Sequence, residues 1–128
     1  DLISINPSLC QGCGSCTTVC PSGAVTYALP TLDVSVNRLR TMMQAYFELD
    51  QQAPHIVIHD LESGQELMDV MEEQLADSVI AFSIEEIGAL GMPFWLSALC
   101  YGASKVTVWN TGSHGMKFSK KLLKPMKC

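Results

Sequence analysis

Pro54-His55-Ile56-Val57-Ile58-His59-Asp60 is a short β-branched run bounded by a proline and an aspartate, the pattern of a buried strand. Ser78-Val79-Ile80-Ala81-Phe82-Ser83-Ile84 and Lys105-Val106-Thr107-Val108-Trp109 repeat it downstream. Between the first two, Ser63 is placed to cap a helix over 64–76, with Leu67, Met68, Met71 and Leu75 on its apolar face. Between the second and third, Pro93 opens a helix that runs to about Tyr101, where Gly102 ends it. The alternation β-α-β-α-β predicts an α/β fold with a small parallel, Rossmann-like sheet and right-handed crossovers. Upstream, Val36, Leu39, Met43, Tyr46 and Phe47 recur at helical intervals and predict a helix over 33–49. Met42, Met43 and Tyr46 are read there as core packing. The expected organisation is an N-terminal module at 1–30, a connecting helix at 31–52 and the α/β domain at 53–128.

The N-terminal module carries the chemistry. Cys10, Cys13, Cys16 and Cys20 follow the spacing C-x2-C-x2-C-x3-C, and Pro21 comes directly after. Two-residue gaps let one tight loop present successive thiolates to different iron corners of a [4Fe–4S] cubane. Gly12 and Gly14 stand between the ligands, where a side chain would crowd the cluster and a positive φ is often needed. Their amides can approach the sulfurs, and such hydrogen bonds help set a cluster's potential. A zinc site draws its ligands from two separated pairs, which this continuous run does not provide. A disulfide framework suits a small secreted chain, whereas no signal segment is visible here and the rest reads as a cored domain. Short strands are expected on either side of the loop, at 2–5 and 24–27. Cys100 lies in the apolar stretch Leu96-Ser97-Ala98-Leu99-Cys100 and is expected to be a core residue. Cys128 is given no role.

The chain has 128 residues, 48% of them apolar, which suffices for a real core. Its formal net charge of −5 is unevenly placed, because five of its eight basic residues lie within 117–127. Residues 1–116 hold 13 acidic and 3 basic side chains, a balance of −10 that argues against nucleic acid as a partner. The lysines at 117, 120, 121, 124 and 127 read as a solvated helix face. The uncharged stretch 87–104 approaches the length of a membrane span, but Gly88, Gly91, Pro93 and Gly102 interrupt it. It is expected to be a loop feeding a buried helix, so no membrane span is predicted. Iron–sulfur chemistry favours a reducing setting, and the expected location is cytoplasmic.

The α/β half shows no G-x-G-x-x-G after its first strand and no G-x4-G-K-[ST]. The loop at 110–115, with its glycines, hydroxyls and His114, reads as a connection. Glu85 and Glu86 are read as solvated acids at a helix start, favoured by the helix dipole. His55 and His59 would stand about 13 Å apart on one face of a strand at about 3.3 Å per residue, too far to share a metal. No nucleophile–base pair is evident, so no catalytic residue is assigned.

The stretch Ile5-Asn6-Pro7-Ser8-Leu9-Cys10-Gln11-Gly12-Cys13-Gly14-Ser15-Cys16, continued through Cys20-Pro21-Ser22-Gly23-Ala24-Val25, resembles the second half of a bacterial-type two-cluster ferredoxin. In that family the fourth cysteine of a run ligates the other cluster. The resemblance therefore implies two assignments for Cys20: the cluster held by Cys10, Cys13 and Cys16, or a second cluster served by an upstream run. No first run precedes the stretch within this sequence, and a start other than methionine is read as a fragment or a processed product whose upstream run is missing. A second, shorter similarity runs from Ile84-Glu85-Glu86-Ile87-Gly88 through Trp95-Leu96-x2-Leu99-x-Tyr101-Gly102-Ala103-x2-Val106-x-Val108. This stretch is similar to the delta subunit of methyl-viologen-reducing hydrogenases, although the chain lacks that family's cysteines around those strands. Together the resemblances imply an iron–sulfur electron carrier that serves a partner redox protein or larger oxidoreductase, rather than a stand-alone enzyme. The competing expectation is a docking or assembly protein whose cluster is structural.

Overall fold

The structure is a computed structural model that describes residues 3–61, 63–71 and 75–109. Expectations placed on Leu2, on the loop at 110–115, on the lysine-rich stretch and on Cys128 lie outside the described residues. So do those on the side chains of Ser63, Leu67 and Met71.

The chain enters through a cysteine loop containing one short helix, α1 (Ser15–Thr18), and passes to the long helix α2 (Leu32–Leu49). Strand β1 (His55–Asp60), helix α3 (Ser63–Met71), strand β2 (Val79–Ile84), a 3₁₀ turn (Ile87–Ala89), helix α4 (Met92–Cys100) and strand β3 (Lys105–Trp109) follow. The three strands form one parallel sheet in the order β2-β1-β3. His55 pairs with Val79 on one side and Lys105 on the other, so the strands start level and their C-terminal ends lie together.

Local chemistry explains the boundaries. Thr31 caps α2 by accepting the Val34 N–H at 3.4 Å, and Asp33 in the first turn suits the positive end of the dipole. Helix α4 ends in a Schellman arrangement at Gly102, whose φ of +100° suits only glycine. There the Gly102 N–H bonds the Leu99 carbonyl at 3.0 Å and the Ala103 N–H bonds that of Ala98 at 3.1 Å.

β1 is the central strand and is buried on both faces. Ile56 and Ile58, with Phe82 and Ile84 of β2, form one core with Leu39 and Met43 of α2 and Phe94 and Ala98 of α4. Phe82 and Phe94 meet at 5.1 Å between ring centroids. The opposite face of β1 presents Val57 and His59, buried together with Met68 of α3. Gly64 of α3 lies so close that an added Cβ would stand 2.8 Å from the His59 Cβ. His55 on that face meets the Thr107 hydroxyl at 2.8 Å, and the His59 ring nitrogen Nδ1 lies 2.9 Å from the Asp60 carbonyl.

Three expectations are corrected. Residues 3–5 and 24–27 form no strand. Ile3 and Ile5 are largely exposed, and segments this short gain nothing from an extended conformation without a ladder partner. Cys100 is exposed rather than in the core. It sits two residues past the buried Ala98, about 200° around a helix of 3.6 residues per turn. For the same reason α4 is buried on one face only: Phe94 and Ala98 point inward while Met92, Leu96 and Leu99 remain exposed. Among the described residues no helix is long and apolar enough to cross a membrane.

Candidate metal centre

The loop that carries the four cysteines is shaped by short-range hydrogen bonds. Asn6, Pro7, Ser8 and Leu9 form a turn in which the Asn6 carbonyl accepts the Leu9 and Cys10 N–H groups at 3.1 and 3.0 Å. The Asn6 side chain accepts the Ser8 N–H at 2.9 Å, which locks the approach to Cys10. Gly12 then takes a φ of +71° and aims its N–H at the Cys10 sulfur, 3.4 Å away. Gly14, at φ +70°, starts α1, with the Thr17 N–H and hydroxyl both on its carbonyl. Cys13 lies between the two left-handed glycines, Cys16 lies within α1, and Cys20 follows it. A turn closed by the Gly23 N–H on the Cys20 carbonyl at 3.4 Å carries the chain away.

Cys10 and Cys16 are exposed, Cys13 and Cys20 are half-buried, and none of the four is in a disulfide. Two of the thiols are shifted toward the thiolate. The Ser15 backbone amide, and then its hydroxyl, hold the Cys13 thiol below its usual range. The Ser22 hydroxyl, 3.5 Å from the sulfur, and then the Val25 backbone bring Cys20 down to about 7. Donors aimed at sulfur favour the charged form, and the thiolate is the form that binds metal.

The four thiols lie within eleven residues of one loop. Among the described residues no three histidine, cysteine, aspartate or glutamate side chains gather as a site for a single metal ion. A tetrahedral zinc site would need sulfurs about 3.8 Å apart, given Zn–S bonds of about 2.3 Å. A cubane offers a separate iron corner to each thiolate, so its ligands stand farther apart. Free thiols, left-handed glycines and an amide directed at sulfur fit that group.

The loop is seated on the 3₁₀ turn that follows β2 and on Gly91. A Cβ added to Gly14 would stand 2.6 Å from the Ala89 Cβ, and one added to Gly91 would stand 3.2 Å from the Thr18 Cβ. Tyr27 joins this corner: its hydroxyl is pushed above its usual range by burial, then by the charges of Glu86, Glu85, Cys13 and Cys10. Glu86 does stand at a helix start, that of the 3₁₀ turn, but of the two acids only Glu85 is exposed. They precede the 3₁₀ turn, and Glu86 is half-buried beside the loop. Sequence pattern alone does not mark Tyr27 or Ala89, and it gives Glu86 only as a solvated acid. The one available signal was the small-residue run Gly88-Ala89-x-Gly91, which permits close backbone approach.

Residues 3–26 match the family model of the 4Fe-4S binding domain. The match spans the turn at Asn6, all four cysteines and the segment that leads to Tyr27. The 4Fe–4S binding domain binds a [4Fe–4S] cluster, and the thiol chemistry of the loop agrees with it. The rest of the chain lies outside that match, and no curated protein and no solved structure matches the chain.

Proposed function

We propose that this chain is a one-electron carrier in which Cys10, Cys13, Cys16 and Cys20 hold a [4Fe–4S] cluster. The match of residues 3–26 to the 4Fe–4S binding domain carries this reading. The free state of all four thiols and the lowered Cys13 and Cys20 support it. When bound, the cluster supplies a reversible one-electron couple, with no bond made or broken by the protein. One electron enters from a reduced redox protein and leaves to an oxidised one, so the balance closes through the two partners.

The chain's own residues do three things. The Gly12 amide approaches the Cys10 sulfur and stabilises the ligated thiolate. The Gly14–Ala89 contact fixes the loop on the α/β half, which orients the centre toward a partner. Cys10 and Cys16 lie at the surface, which leaves a short path for an electron to a docked protein. In this reading residues 1–30 are the cluster module, 31–52 the connecting helix and 53–128 the docking domain of a larger oxidoreductase, in a reducing, cytoplasmic setting. A cluster served from an upstream cysteine run would take Cys20 as its ligand and leave the other three in place.

The test is a mediated redox titration of anaerobically reconstituted protein, followed by EPR. A reversible one-electron couple supports a carrier. A cluster that can be reduced only with loss of the fold, or not at all, makes it structural and overturns the proposal.

A further inference from the structure

The seating of the loop places one charge where it matters for the electron. Glu86 starts the 3₁₀ turn, and its carbonyl accepts the Ala89 N–H at 3.1 Å. Ala89 is the residue against which Gly14 packs, and Gly14 follows Cys13. Glu86 is therefore one turn of backbone from the cysteine loop, and it is half-buried there. The basic side chains among the described residues are committed elsewhere. Arg38 donates to the Ser83 carbonyl and hydroxyl at 2.8 and 2.9 Å, and Arg40 lies over the Tyr101 ring. Lys105 begins β3, level with His55 at the far end of the sheet.

We propose that Glu86 is a potential-setting residue: its charge, carried on the 3₁₀ turn that the Gly14–Ala89 contact holds against the cysteine loop, makes the centre harder to reduce. Adding an electron next to a fixed negative charge is disfavoured, more so where solvent is partly excluded. The inference rests on the carrier reading above and deepens it, because it names a residue that tunes the electron exchange of that centre.

Glu86→Gln keeps the shape and removes the charge. The Glu86 side chain makes no capping hydrogen bond, so the turn does not depend on it. The experiment is an EPR-monitored titration of the reconstituted full chain, with dithionite as reductant, on wild type, Glu86→Gln, Glu86→Asp and Glu48→Gln. At a fixed potential Glu86→Gln should raise the ratio of reduced to oxidised cluster at least threefold, where tenfold is about 59 mV for one electron. Glu86→Asp, which keeps the charge, should stay near wild type. Glu48→Gln, near the C-terminal end of α2, should not move. A Glu86→Gln midpoint equal to that of wild type, in samples that both give the reduced signal, overturns this inference alone. Absence of any reversible signal in wild type overturns the carrier reading and this inference with it.

Discussion

Gly14→Ala should detach the cysteine loop from the α/β half. Two costs add at this position. The backbone sits at φ +70°, a left-handed conformation that costs a residue with a Cβ about 1–2 kcal/mol. The new methyl would also stand 2.6 Å from the Ala89 Cβ, 2.8 Å from its Cα and 3.0 Å from its nitrogen. Two of these neighbours are backbone, so no rotamer change relieves the overlap, and overpacking of this kind costs about 1–3 kcal/mol. The total is about 2–5 kcal/mol, a large share of the stability of a small domain. Gly12→Ala is the internal control, because its φ is +71° yet nothing lies within 4 Å of its added Cβ. It should lose only about 1–2 kcal/mol. The assay is thermal unfolding of reconstituted protein, followed in parallel by far-ultraviolet circular dichroism and by the visible absorbance of the cluster. Gly14→Ala should lower both transitions by about 10 °C or more and release the cluster earlier than Gly12→Ala. Equal losses in the two variants would refute the claim that the Gly14–Ala89 contact seats the loop.

Other consequences follow from the core and from the thiols. Phe94→Ala removes a fully buried ring that packs on Phe82 and Trp95, and should cost about 3–5 kcal/mol in denaturant unfolding. Leu99→Ala, on the exposed face of the same helix, should cost under about 1 kcal/mol. In cluster-free protein Cys20 should alkylate with half-maximal rate near pH 7, and Ser22→Ala should move that midpoint upward. Because folding lowers this thiol's pKa from its ordinary value of 9.0, its contribution to stability is present above that value and is lost as pH falls through about 7. A denaturation series across that window should show stability rising with pH, and Ser22→Ala should flatten the rise.

Local pattern made much of the α/β half legible. The third strand is read at its observed bounds, and the first two strands and α2 lie within one residue of theirs. Those segments carry β-branched runs or helical periodicity strong enough to fix their type, with proline, glycine and threonine marking the ends. The cysteine spacing likewise named its chemistry before any coordinate did. What stayed hidden depends on distance in space rather than in sequence. The strands expected at 2–5 and 24–27 needed a partner that local pattern cannot supply. Cys100 looked buried because α4 is apolar almost all round, and only the packing of Phe94 and Ala98 reveals which face is inward. Tyr27 and Glu86 are 59 residues apart, and the charge of Glu86 reaches the Tyr27 hydroxyl only because the fold brings the 3₁₀ turn to the cysteine loop.

The central claim is that these cysteines hold an iron–sulfur cubane, and its most direct test is the iron and acid-labile sulfide content of the anaerobically reconstituted chain. The account predicts about four of each per chain, lost together when Cys10, Cys13 and Cys16 are changed to serine. A single metal ion per chain without sulfide, held by the same cysteines, would contradict it.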